Sequence, residues 1–192
     1  MKKLLFMFVL TISSAQVADA ADEFYKYYVG ASAGQSEFPN FCDGISGAVD
    51  CDDSGTGWKV LWGYQATKNF GIEVSFVDFG EFTVTLPPAE FKAESSGFSV
   101  VGVGTLHDSE GFGLFGKIGL VRWDLKLNAN GVSLPRYDNN RIDLTYGVGV
   151  IVKAAEQILI RIEWEQFSDV GNTTLDKIGD VNLLSAGIVL PF

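Results

Sequence analysis

His107-Asp108-Ser109-Glu110 puts a base beside a hydroxyl nucleophile and two carboxylates, the residue types of an acyl-transferring hydrolase. With Gly111 directly after it, the stretch reads as a solvated tight turn of five residues rather than a pocket. Gly111-Phe-Gly-Leu-Phe-Gly116 matches the G-x-G-x-x-G spacing of a phosphate cradle, but the residues beyond it alternate as a strand, with no helix to receive a phosphate, so no cofactor is expected. Cys42 and Cys51 lie close together among Asp43, Asp50, Asp52 and Asp53. Two thiols and some aspartates, with His107 far off, make a poor metal set, and the aspartates lack the ordered spacing of a calcium loop, so no metal is expected. In an exported chain the two cysteines most simply form one disulfide that ties a loop. Asn172-Thr-Thr174 fits a glycosylation acceptor, which matters only in a different secretory setting.

Export is signalled by the first twenty residues: Lys2 and Lys3, an apolar run from Leu4 to Ile12, then Ala18-Asp19-Ala20 as an A-x-A cleavage site. That run is too short for a membrane helix, which takes about 20 residues. Cleavage after Ala20 removes Lys2, Lys3 and Asp19, a net loss of one positive charge from −10, leaving −11. So acidic a chain is not a nucleic-acid partner. The remainder, about 170 residues, is one domain's worth. Aromatics at 13% and 22 glycines against five prolines suit strands and tight turns. No later run is long and apolar enough for a membrane helix, so a membrane-spanning form of this chain must be a closed barrel.

Alternation of apolar and polar residues then marks eight strands: Tyr25–Gln35, Gly57–Tyr64, Gly71–Phe79, Ser95–Leu106, Phe112–Leu127, Arg141–Val152, Ile158–Glu165 and Asp180–Phe192. They average close to the roughly 10 residues that a tilted strand needs to cross a bilayer. Thr83–Lys92 reads as a loop because Pro87 and Pro88 cannot donate to a ladder, and Asn128–Asn140 reads as a loop by composition. Breaks after strands one, three, five and seven are long and polar, and those after two, four and six are tight. That is the asymmetry of an outer-membrane barrel with long loops outside. The last strand sets Leu184, Ile188, Leu190 and Phe192 on one apolar face, which makes sense if it pairs with the first strand and removes the edge.

The charged residues Lys59, Glu73, Lys117, Asp143, Arg161, Glu163 and Glu165 all fall on the face opposite the aromatic and branched side chains. A soluble calyx would turn that face to water, and a membrane barrel would turn it to the lumen. Size decides between them. Trp58, Trp62, Tyr64, Phe76, Tyr146, Trp164 and Phe192 would overfill an eight-stranded interior, whereas the opposite face carries Gly30, Gly34, Gly63, Gly113, Gly119, Gly147, Gly149 and Gly187. Bulky apolar residues are therefore expected outside, with glycines and a nearly balanced charge network plugging the lumen. The two faces of Ser95–Leu106 are too similar in polarity to orient.

The segments Gly57-Trp-Lys-Val-Leu-Trp-Gly-Tyr-Gln65, Ile72-Glu-Val-Ser-Phe-Val-Asp-Phe-Gly80, Leu114-Phe-Gly-Lys-Ile-Gly-Leu-Val-Arg-Trp123, Tyr146-Gly-Val-Gly-Val150 and Arg161-Ile-Glu-Trp-Glu-Gln-Phe167 resemble the outer membrane protein A-like transmembrane barrels of the small porin-like outer-membrane superfamily. The resemblance implies an all-β, eight-stranded antiparallel up-and-down transmembrane β-barrel over residues 21–192, preceded by a cleavable signal peptide over 1–20. It implies residence in the outer membrane among its lipids and lipopolysaccharide. It also implies delivery by periplasmic chaperones and insertion by the barrel assembly machinery, which reads a C-terminal aromatic strand such as Leu184 to Phe192. Family members that bind peptidoglycan do so with a domain after the barrel; with the chain ending at Phe192, that role is not expected. The expected function is a monomeric structural envelope component or weak small-solute porin. Adhesion or reception of an extracellular ligand through the loops comes second, and lipid A modification through the His107 turn a distant third, so the chain is not read as an enzyme.

Overall fold

The computed structural model describes residues 26–39, 50–86, 89–107, 111–129, 132–133, 142–168 and 179–192; the export segment and Cys42 lie outside them. Among the described residues ten strands follow one another: β1 (Tyr27–Glu37), β2 (Asp50–Asp52), β3 (Ser54–Gln65), β4 (Phe70–Leu86), β5 (Ala89–His107), β6 (Phe112–Ala129), β7 (Val132–Ser133), β8 (Ile142–Ala155), β9 (Ile158–Phe167) and β10 (Val181–Pro191). Side chains along each long strand point alternately to opposite faces, so a closed sheet gives every residue either an inner or an outer address. Eight strands close the ring in the order β1, β3, β4, β5, β6, β8, β9, β10 and back to β1, antiparallel throughout. The closing seam runs from Tyr28 opposite Pro191 to Glu37 opposite Asn182, and the Phe192 N–H donates to the Tyr27 carbonyl at 2.8 Å. Around the closed ring each of the eight strands is hydrogen-bonded to a neighbour on both sides, which is what lets a sheet cross a bilayer.

Of the loops expected from sequence, one is largely strand and another begins as strand. Thr83–Lys92 continues the β4–β5 ladder, with Thr83 opposite Lys92 and Leu86 opposite Ala89. Proline forbids a ladder donor only at its own position, and Pro87 and Pro88 fall between the two strands, outside the described residues. Asn128–Asn140 likewise begins as strand: β6 runs to Ala129 and turns back through β7, with Asn128 opposite Ser133. With 17 and 19 residues, β4 and β5 are longer than the roughly 9–11 that a crossing needs, so they continue beyond the bilayer. There β2 adds to β4, placing Cys51 opposite Val84. In this same region the Asp52 carboxylate accepts hydrogen bonds from the Ser54 hydroxyl and N–H, which lower its pKa.

The outer face is apolar around the ring, with Trp62, Ile72, Val100, Leu114, Ile118, Val148, Ile160 and Ile188 among its exposed residues. Aromatic rings gather toward both rims. Tyr27 stacks on Trp62 and Phe192 at the short-turn end, and Trp58, Phe76 and Phe98 form a contact chain toward the other. Amphipathic rings collect at the two membrane interfaces, so the belts bracket the crossing. Ser95–Leu106 is now oriented: Ser95, Ser99, Val101, Val103 and Thr105 face in, and Phe98, Val100 and Leu106 face out. Valines on both faces are what made it ambiguous.

Candidate functional site: the filled lumen

In the middle of the barrel three cations meet three carboxylates. Arg161 on β9 forks onto Glu73 on β4, with its two terminal nitrogens 2.5 and 3.1 Å from the two carboxylate oxygens, and its Nε donates to Glu163 at 2.8 Å. Lys59 on β3 contacts Glu163 and reaches Glu165 at 2.9 Å, and Lys117 on β6 reaches Glu165 at 2.6 Å and Glu163 at 3.2 Å. All six side chains are buried. Isolated charges there would cost several kcal/mol each, so near-complete pairing is the condition for placing them inside at all. β9 presents three of the six because Arg161, Glu163 and Glu165 are alternate residues of one strand and share its inner face. Asp143 also faces inward, but it stands opposite Val121, whereas the β8 residue opposite Lys117 is Gly147, so it belongs to a different layer.

Sequence reasoning missed the neutral partners of this network. The Tyr28 hydroxyl donates to Glu73 at 2.8 Å, Thr145 donates to Glu165 at 3.2 Å, and the Arg161 guanidinium lies 4.1 Å over the centre of the Phe115 ring. Two glycines make room for the aromatic pair. A Cβ at Gly63 would fall on the Tyr28 ring, and one at Gly149 on the Phe115 ring. The signal was the pairing of an inward aromatic with an inward glycine on a neighbouring strand. Tyr28→Phe removes one hydrogen bond to a buried carboxylate and is expected to cost about 1.5–3 kcal/mol. Equilibrium urea unfolding from lipid vesicles will measure the loss.

A second filling corrects the expectation that bulky apolar residues lie only outside. Toward the long-loop end the lumen is packed by Phe38, Val77, Phe79, Phe82, Val121, Trp123, Phe167, Val181 and Leu183. Phe79, Trp123 and Phe167 contact one another with ring centres 4.9–5.4 Å apart, and Phe38 meets Phe82 edge-on at 4.3 Å. Phe79, Trp123 and Phe167 share the inner parity of the charged residues on their strands, the face opposite the aromatics expected outside. Phe82 is an exception with a local cause. A bulge between Asp78 and Glu81 shifts the register, so odd residues face in before it and Phe82 faces in after it. Gly80 takes the positive φ of 81° that the bulge needs, its N–H bonds Asp78 Oδ1, and Ser36 Oγ donates to the Phe79 carbonyl at 2.6 Å. Below the ionic layer Val101, Val103, Phe115 and Ile151 form a smaller apolar layer.

A closed eight-stranded ring with an apolar exterior, aromatic belts and an ion-paired interior has the build of an outer-membrane barrel. The model of the outer membrane protein beta-barrel domain matches residues 5–192. The chain belongs to that family. It is an outer-membrane protein, and its long-loop end is by the family's construction the extracellular one. Outer membrane protein P5 of Haemophilus influenzae is 28% identical over 216 residues, covering 96% of this chain, and the chain spans 59% of the length of that relative. Among solved structures, Neisserial surface protein A superposes with a TM-score of 0.61 at 16% identity, covering 86% of this chain and 97% of that one. The N-terminal β-barrel domain of OprF from Pseudomonas aeruginosa gives 0.59 at 12%, covering 87% and 98%. Ail, the attachment invasion locus protein of Yersinia pestis, gives 0.53 at 16%, covering 87% and 97%. These likenesses speak for the fold.

The remaining candidate residues take their places in the same frame. Leu184, Ile188 and Leu190 are exposed on the outer face of β10, and Phe192, directly after it, is exposed as well. Cys51 lies in β2, while its expected partner Cys42 is outside the described residues. His107 ends β5 at the short-turn end, and Asp108, Ser109 and Glu110 are outside the described residues. Among the described residues no cluster of three or more metal-binding side chains occurs.

Proposed function

We propose that this protein is a structural component of the outer membrane whose barrel is plugged, rather than an open porin. The observation that carries the reading is the stack of three filled layers across the lumen: apolar, ionic, apolar. Eight strands leave room for side chains and little else, and here those side chains contact one another through the middle of the barrel. The role of Leu184–Phe192 as an assembly signal, the Cys42–Cys51 disulfide and the monomeric state belong to the same proposal. A non-catalytic role is favoured by the position of His107, on the periplasmic side and away from the outer leaflet. The extension of β4 and β5 beyond the bilayer, with β2 added to its side, favours a second reading in which the exterior hairpins bind an extracellular partner.

Planar-bilayer recording of the purified protein tests the plug. The expected result is a baseline near that of the bare bilayer, with brief small openings. A large, stable channel would overturn it.

A further inference from the structure

Three cations meet three carboxylates in the ionic layer, so a further ligand there is best neutral. Lys59 carries three ammonium protons, and its contacts with Glu163 and Glu165 use two of them. Among the described residues the third meets no acceptor. Two hydroxyls beside it are in the same condition. Ser32 on β1 stands directly opposite Lys59, Ser185 on β10 stands directly opposite Glu163, and both Oγ atoms are buried with no hydrogen-bond partner. Ser185 as a whole is 3% exposed. These four residues close a circuit: Lys59 contacts Glu163, and Ser32 and Ser185 are diagonal neighbours on the inner face of the β1–β10 seam. Diagonal Cβ atoms lie about 7 Å apart, a gap that two hydroxyls with one water between them span. No other side chain of the seam takes that place, because the residues opposite the two serines are Gly187 and Gly34. A Cβ at Gly187 would fall 2.5 Å from Ser32 Cβ, and one at Gly34 2.5 Å from Ser185 Cα.

We propose that this corner of the ionic layer is a binding site for one water molecule, which accepts a hydrogen bond from Lys59 Nζ and bridges the Ser32 and Ser185 hydroxyls. Each hydroxyl is able to give or to take its bond. Water suits the site because it is neutral, small and both donor and acceptor, and buried waters typically make about three hydrogen bonds to groups that would otherwise go unmet. The two serines belong to the strands that close the ring, so the water ties a central cation to the seam between the first strand and the last. It is one bound molecule, not solvent filling the lumen.

A high-resolution crystal structure of the purified native chain tests the site directly. The expected result is density for one water within hydrogen-bond distance of Lys59 Nζ, Ser32 Oγ and Ser185 Oγ. No density there, or hydroxyls bonded to protein groups instead, overturns the proposal. Ser32→Ala with Ser185→Ala supplies the energetic arm, read by urea unfolding from lipid vesicles. Removing the water's two hydroxyl partners is expected to raise the unfolding equilibrium constant about tenfold. Hydroxyls that were merely stranded would behave in the opposite way, because deleting an unmet buried polar group relieves its desolvation cost. A rise below about twofold, or a fall, therefore also overturns the proposal. Heat-modifiable migration shows which variants have folded, and Ser185→Ala alone, with an expected rise of about threefold, decides in the same way if the double variant does not.

Discussion

Arg161→Met will lower the unfolding free energy by about 3–5 kcal/mol, the cost of leaving buried carboxylates without their cation. Glu73 keeps the Tyr28 hydroxyl but loses both guanidinium bonds, and Glu163 loses the bond from Arg161 Nε. The two guanidinium bonds to Glu73 also join β9 to β4 across the lumen, so they exist only when the ring is closed. The penalty should therefore fall largely on the unfolding rate, because interactions absent from the transition state are the ones that slow unfolding. Adding Glu73→Leu to Arg161→Met removes one stranded charge and should cost clearly less than the sum of the two single changes, a coupling of about 0.5–3 kcal/mol. Urea unfolding from lipid vesicles, followed by tryptophan fluorescence, reads both quantities. A loss below about 1 kcal/mol for Arg161→Met would match a solvated surface pair, and the network would then have to be wet.

Most of the ring was legible because the period of a strand is two and the bilayer punishes errors of parity. Lys59, Glu73, Lys117, Arg161, Glu163 and Glu165 were assigned to one face by alternation alone, and in the structure they meet one another inside the barrel. Four things were not legible, each for a physical reason. Strand length was underestimated at Thr83–Lys92 because two prolines were allowed to veto eight neighbours, although their constraint is local. The inward aromatics Phe79, Trp123 and Phe167 lie on the same parity as the charges, but the count of bulky residues stopped at the other face. Phe82 could not be found by alternation at all, since a bulge at Gly80 adds a residue and reverses the parity after it. Pairings across the lumen, such as Tyr28 with Glu73, depend on which strands face each other in the closed ring, and periodicity along one strand carries no such information.

Ile118→Arg will cost about 2–4 kcal/mol in a lipid bilayer, the price of a cation turned toward hydrocarbon near the midplane. Ile118 is 61% exposed on the outer face of β6, between Gly102 and Tyr146 on the flanking strands, and its sequence neighbour Lys117 is buried among carboxylates. One step along the strand therefore moves a positive charge from a site that demands it to one that rejects it. Depth supplies the internal control. Ile142 is also exposed on the outer face, but it stands opposite Arg122, where the outer face already carries a cation near the extracellular rim. Arginine at 142 is expected to cost only about 0–1 kcal/mol, as for charges near an interface. The gap between the two substitutions, read by the same unfolding measurement, reports the surrounding medium rather than the residue. On a wetted exterior both would fall within about 0.5 kcal/mol of the native chain, and the apolar band would need another explanation.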